Sequence, residues 1–279
     1  MRKTKKIGGS NVLVTVLLFL GCLTILFPLY MTIIIAFKNP SEMTNDVAGA
    51  LAFPSSWKLD NFKEAMEVTN FWHTLGNSLL ITIATIVLAL LIHSLAGYVI
   101  GRNMARKKGY RFIYFYIVSG MFVPFAILMM PLVKETAILG LDNRLGVILL
   151  YLVFYMPINV MLYSGYLKNI PLAMEEAAEI DGANSIQKFF KITLPLMSRN
   201  MLFVVIMTCI SYFQVFAQVQ IMTQGGPENH TNVIGLNIYN YAFRYSQMGY
   251  ASAMAVVLLG IILIVSLVQL KVGKQDWEY

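Results

Sequence analysis

Six stretches of the chain contain no Asp, Glu, Lys or Arg: Val12–Phe37, Asn77–Gly101, Phe112–Val133, Gly146–Leu167, Asn200–Met222 and Met248–Leu270. About 20 predominantly apolar residues carry an α-helix across a hydrocarbon layer, so each stretch is long enough to span. The pattern predicts an all-α membrane protein with six transmembrane helices. The first stretch far exceeds the roughly 7–15 apolar residues of a signal peptide, and no A-x-A cleavage pattern follows it.

Composition narrows the class further. The 279 residues are 58% hydrophobic and 13% charged, with a mean hydropathy of +0.67. Soluble domains carry about twice that share of charge, so a water-soluble enzyme and a disordered chain are both excluded. The net charge of +7 reports topology. Of the 21 Lys and Arg, 15 fall on the side of both termini and of the second and fourth connections, and six fall on the other. The positive-inside rule assigns the richer side to the cytoplasm. Both termini are therefore expected inside, with residues 1–11 a cytoplasmic basic tail, 12–270 a six-span transmembrane domain and 271–279 a second tail. No nucleic-acid partner is expected. Membrane lipid is the expected surrounding, with Arg2, Lys3, Lys5 and Lys6 as a collar near anionic headgroups.

Most other features read as packing. Cys22 and Cys209 lie inside predicted spans and form no metal or redox spacing. Pro28, Pro124, Pro131 and Pro157 fall within spans, where a kink is tolerated if neighbours satisfy the freed carbonyl. Gly97 and Gly101 make a GxxxG step suited to close helix approach within this chain. His93 has no acidic partner in any span, while His73 and His230 lie near span ends. Tyr98, Tyr110, Tyr151 and Tyr250 also sit near span ends, as an interfacial aromatic belt would. In the first outside connection a short amphipathic stretch from Asp60 to Val68 is expected, with Asp60 as its N-cap.

The fourth connection, 168–199, differs from the other inside segments because it balances four acids against four bases. Its pattern predicts two short helices meeting at an angle. Pro171 suits a first helical position, with Glu175 and Glu176 near that helix's positive end. Gly182 supplies a left-handed residue that ends it. Asn184 then caps a second helix, with Gln187 in capping-box spacing, and Pro195 ends the segment. Ala177, Ala178 and Ala183 surround the elbow with small side chains that let another protein's surface approach.

Glu176-Ala177-Ala178, Gly182 four residues later and Ile192-x-Leu194-Pro195 together resemble the EAA loop of permease subunits in binding-protein-dependent ABC importers. The fuller Glu-Ala-Ala-x-x-Asp-Gly-Ala form, ending in Leu-Pro-Leu, resembles the carbohydrate-uptake, maltose-type branch. Asn61-Phe62, Asn77-Ser78-Leu79, Ala96-Gly97-Tyr98 leading to Arg102, and Gly140-Leu141 resemble the smaller permease of that pair. Gly225-Gly226-Pro227 with Thr231, Ile238-Tyr239 and Ala242-Phe243 resemble the larger one. The resemblance implies the type I importer permease fold, with 168–199 as a cytoplasmic coupling loop docked on an ATPase. Glu176, Ala177, Ala178, Asp181, Gly182 and Ala183 are the implied ATPase contacts, Glu176 being the charged anchor. It further implies a second permease forming a heterodimer, two cytoplasmic ABC ATPase subunits and an extracytoplasmic sugar-binding protein, in the cell membrane. No cofactor and no metal are expected, and no catalytic residue. The chain has no G-x-x-x-x-G-K-[ST] phosphate loop, so hydrolysis must come from another subunit.

In the fifth span, continuous helical spacing brings Ser211, Gln214 and Gln218 within about 60° of one another. This uncharged stripe suits a neutral, hydroxyl-rich solute, and Tyr212 and Phe216 on the adjoining face suit stacking on sugar rings. Interhelical hydrogen bonding is the competing role for the same residues. Two other functions stay open: import of a different neutral solute, and ion-coupled secondary transport. The second calls for an ionisable group inside a span, and His93 is the sole candidate. An intramembrane enzyme would need paired catalytic groups at membrane depth, and none is visible.

Overall fold

A computed structural model describes residues 9–44, 49 and 51–273. The collar at Arg2–Lys6 and most of the C-terminal tail lie outside them. In chain order the helices are α1 (Gly9–Phe37), α2 (Pro40–Thr44), α3 (Asp60–Val68), α4 (Phe71–Asn103), α5 (Lys108–Ser119), α6 (Phe125–Ile138) and α7 (Arg144–Tyr166). They continue with α8 (Leu172–Ile180), α9 (Ser185–Lys188), α10 (Ser198–Phe213), α11 (Ala217–Met222), α12 (Ile234–Tyr239) and α13 (Met248–Val272). Among the described residues there is no strand.

Four of the expected spans appear as unbroken helices long and apolar enough to cross a membrane: α1, α4, α7 and α13. The other two are bent. Between α5 and α6 the chain turns by 101°. Pro124 stands at the N-cap of α6, where its missing N–H and the extended backbone that precedes it forbid a straight helix through the predicted Phe112–Val133. The run Ser185–Leu196 meets the helix that begins the fifth span at 81°. With each bent pair taken as one span the total is six, so four to six spans are supported by length and composition.

The predicted fifth span also breaks further on. Helix α10 ends at Phe213, and α11 begins only at Ala217. No Pro or Gly marks this break. Its partner is Gly235, whose missing side chain leaves room for the turn: a Cβ there would lie 3.2 Å from the Val215 carbonyl and 3.2 Å from the Phe216 Cβ.

The described residues form two units. The first comprises the described residues of Met1–Thr69 together with Ile238–Leu258. In it, Asn61 of α3 donates to the Ala36 carbonyl at 3.0 Å and the Lys38 carbonyl at 2.8 Å. These are carbonyls that the end of α1 leaves without an intrahelical donor. Asp60 is the first helical residue of α3 and Leu59 occupies the cap position, so the expected Asp60 cap is not formed. Tyr250 donates its hydroxyl to Glu64 rather than standing free in a belt.

The second unit comprises Asn70–Asn237 and the described residues of Leu259–Tyr279. Helix α4 packs along α7 through the GxxxG step. A Cβ on Gly97 would lie 2.5 Å from the Tyr163 Cβ, and one on Gly101 would lie 2.9 Å from Leu167 Cδ1. His93 is buried in this seam, its Nδ1 3.0 Å from Asn159 Nδ2. Tyr151 is buried as well and stacks on Tyr212 at 5.5 Å between ring centroids, so it belongs to the core and not to a belt. At the other end of α4, Asn77 donates to the Asn229 and Asn232 carbonyls at 2.9 and 3.1 Å. Arg144, opening α7, donates to Asn77 Oδ1 and to the His230 carbonyl, both at 2.7 Å. The segment 223–233 is thereby pinned to the starts of two helices.

Candidate functional site

The segment from Leu167 to Leu196 is an elbow of two short helices. Pro171 stands at the N-cap of α8, one position earlier than a first helical residue. The helix ends in a Schellman arrangement: the Gly182 N–H donates to the Glu179 carbonyl at 3.0 Å and the Ala183 N–H to the Ala178 carbonyl at 2.9 Å. Gly182 takes φ +85°, a conformation disfavoured for any residue with a Cβ. Asn184 then caps α9 through a complete capping box with Gln187, each bond 2.9 Å. Lys188 bridges back to Glu179 at 2.7 Å and holds that carboxyl below its usual range. A π-helical turn, Phe189–Thr193, and a last turn, Leu194–Leu196, complete the elbow.

The residues expected to meet a partner are grouped on this elbow. Glu176, Ala177, Asp181 and Gly182 are exposed, and Ala178 and Ala183 are half-buried. Ile180 and Ile186 stand beside them with 87% and 70% exposure. A rigid turn thus presents two carboxylates, small side chains and two bare isoleucines.

Sequence reasoning missed what holds the elbow. Glu175, next to the expected anchor, points inward and is 5% exposed. Arg102 at the end of α4 donates to Glu175 Oε1 from Nε at 3.0 Å and from Nη2 at 2.7 Å. Its Nη1 donates to the Leu167 and Ile170 carbonyls at 3.1 and 3.2 Å. Tyr98 donates to Glu175 Oε2 at 3.1 Å and Thr193 to Oε1 at 2.8 Å. A buried ion pair pays for its desolvation only when the remaining lone pairs and protons are also satisfied, and here they are shared among α4, the end of α7, α8 and the π-helical turn. One signal was available: Tyr98 and Arg102 lie at i, i+4 on one face of an apolar helix, and a cation there requires an acid.

The residues expected along the substrate path are not brought together as predicted. Ser211 lies in α10, donating to the Met207 carbonyl at 2.8 Å. Gln214 follows the end of that helix and is exposed, and Gln218 is half-buried in α11. The break between the helices removes the common stripe. Tyr212 is 3% exposed, packed between Tyr151 and Tyr155, so its ring is closed to a solute.

Residues 93–274 match the family described as binding-protein-dependent transport system inner membrane component. The chain is 33% identical over 253 residues to the multiple sugar-binding transport system permease protein MsmG of Streptococcus mutans, covering 89% of this chain and 88% of that protein. It is 30% identical over 268 residues to the permease protein MsmF of the same organism, covering 89% of each. Among solved structures, a bacterial ABC transporter involved in alginate import contains a chain that superposes with a TM-score of 0.76 at 21% identity, over 96% of this chain and 99% of that one. At that identity the superposition speaks for the fold.

Proposed function

Since the chain belongs to the family of binding-protein-dependent transport system inner membrane components, we propose that it is the permease subunit of an ATP-driven importer that moves a sugar or oligosaccharide into the cytoplasm by alternating access. It is a transport component, not an enzyme. Similarity to two sugar-system permeases along nearly nine-tenths of the chain supports the solute class. The charge-free spans agree with a neutral solute, since an ionic one calls for opposite charge along its path.

The observation that carries the coupling mechanism is the Arg102–Glu175 clamp beneath an exposed elbow. Six spans with both termini in the cytoplasm put Glu176, Ala177, Ala178, Asp181, Gly182 and Ala183 against a separate ATPase. Closure of the ATPase pair pushes on that surface. Glu175 and Arg102 pass the displacement to α4, while the Leu167 and Ile170 carbonyls bring α7 with it. A loosely held loop would bend instead and leave the spans where they were. A second, non-identical permease completes the pathway, and an extracytoplasmic binding protein delivers the solute. On the outer side, Arg144 and Asn77 hold segment 223–233 against the helix starts. Ion-coupled transport is disfavoured by His93, whose Nδ1 faces the amide of Asn159 and no acid.

Coexpression with a partner permease, ATPase and binding protein, followed by ATPase assays in proteoliposomes across a saccharide panel, tests the reading. Stimulation by one saccharide class supports it, and no stimulation by any saccharide counts against the carbohydrate assignment.

A further inference from the structure

The first outside connection holds an apolar run that the transport reading leaves unused. Leu51, Phe53, Trp57 and Leu59 are 44%, 69%, 57% and 55% exposed. The run is nevertheless fixed in place. Its start is tied by the Tyr30 hydroxyl, which donates to the Leu51 carbonyl at 2.8 Å. Its middle is tied by Glu42, which accepts from the Ser55 N–H at 3.3 Å and from Ser55 Oγ at 2.6 Å. Phe53 meets Tyr30 edge-on at 5.8 Å between centroids, and Trp57 lies 5.0 Å from Phe37. The segment therefore runs alongside the last two turns of α1.

That placement sets its depth. Tyr30 precedes Phe37 by seven residues, about 10 Å of helix rise. The apolar part of α1, 26 residues from Val12 to Phe37, is about 39 Å long, whereas a hydrocarbon core is about 30 Å. Phe37 then stands about 5 Å outside the core and Tyr30 about 6 Å within it. Phe53 beside Tyr30 falls in the outer hydrocarbon, and Trp57 beside Phe37 falls among headgroups, with Lys58 next in sequence. An indole with a neighbouring ammonium is the usual equipment of a membrane interface.

We propose that residues 51–59 form an interfacial anchor that inserts into the lipid leaflet at the Phe37 end of α1. The occupant is lipid because the run continues the apolar surface of α1, which is exposed from Val12 to Leu29. Anchoring both sides of the turn fixes the height of α1 in the bilayer.

The test uses nitroxide labels at Phe53→Cys and, separately, Trp57→Cys in the full chain carrying Cys22→Ser. Each is assembled with partner subunits free of reactive cysteine in phospholipid vesicles. Cys209 is buried and stays in place. Collision with oxygen, which concentrates in hydrocarbon, is compared with collision with a water-soluble nickel chelate. Oxygen dominating at 53, with the nickel chelate gaining on it at 57 as a headgroup position requires, is expected. Nickel dominating at both would overturn the anchor in favour of a water-facing surface for a soluble protein. Weak collision with both reagents would overturn it in favour of cover by the second permease.

Discussion

The Arg102 guanidinium and the Glu175 carboxylate meet at 2.7 Å with side-chain exposures of 16% and 6%, joining the end of a membrane-crossing helix to the elbow that follows α7. Removing one member of a buried pair leaves an uncompensated charge and costs about 3–5 kcal/mol. Glu175→Gln and Arg102→Met are expected to lower thermal stability by that order and to reduce transport. Arg102→Lys keeps the charge but loses the fork that serves the carboxylate and two carbonyls, so it should rescue little. Thermal unfolding in detergent and transport-coupled ATP hydrolysis measure both effects. The double variant Arg102→Met with Glu175→Met is expected to lose less stability than the sum of its parts. Additive losses would show that the pair is not a unit.

The exposed bridge between Lys188 and Glu179 should behave differently. Lys188 holds the Glu179 carboxyl below its usual range. Its contribution is therefore present above the ordinary carboxylate range and lost as pH falls through the lowered value. Surface pairs contribute little, so Lys188→Ala is expected to leave the melting temperature unchanged at neutral pH. A clear drop would mean that the elbow depends on this bridge.

Gly182→Asp is expected to leave the protein in the membrane while abolishing transport and weakening copurification of the ATPase. Space is not the obstacle, since a Cβ there meets nothing within 4 Å. The cost is the left-handed backbone, about 1–2 kcal/mol, together with added charge on the docking surface. Membrane fractionation and ATPase pull-down separate the two effects, and normal uptake by this variant would remove the elbow from the mechanism.

Gly97→Leu drives a side chain into Tyr163 and is expected to destabilise by about 1–3 kcal/mol, the usual penalty of overpacking. Gly165→Ala, where a Cβ meets nothing, serves as the silent comparison. Equal melting temperatures for the two would argue that α4 and α7 do not meet as closely as described.

Gln214 and Gln218 test what is left of the substrate path. With the stripe broken between α10 and α11, only exposed Gln214 remains well placed for a solute. Gln214→Leu is expected to alter saccharide preference or apparent affinity and Gln218→Leu to alter neither, as read from uptake by each variant.

The elbow was legible in sequence because its signals are local. Gly182 ends one helix, and Asn184 with Gln187 opens the next. Each acts within five residues, and the structure shows both. The four straight spans were legible for the same reason, since hydropathy is a local sum. Glu175 was not legible, because adjacent acids at the start of a helix look alike until Arg102, 73 residues earlier, selects one. The break after Phe213 depends on Gly235 approaching from another helix, and nothing in residues 213–217 announces it. Tyr212 lies in α10, before the break, and its face is closed because Tyr151 and Tyr155 of α7 enclose it.

The most direct test is saccharide uptake into proteoliposomes holding the full assembly, measured with and without ATP at the ATPase face and with and without an imposed ion gradient. The account predicts accumulation that requires ATP and the ATPase subunit and ignores the gradient. Accumulation that persists without the ATPase, or that follows the gradient, would contradict it.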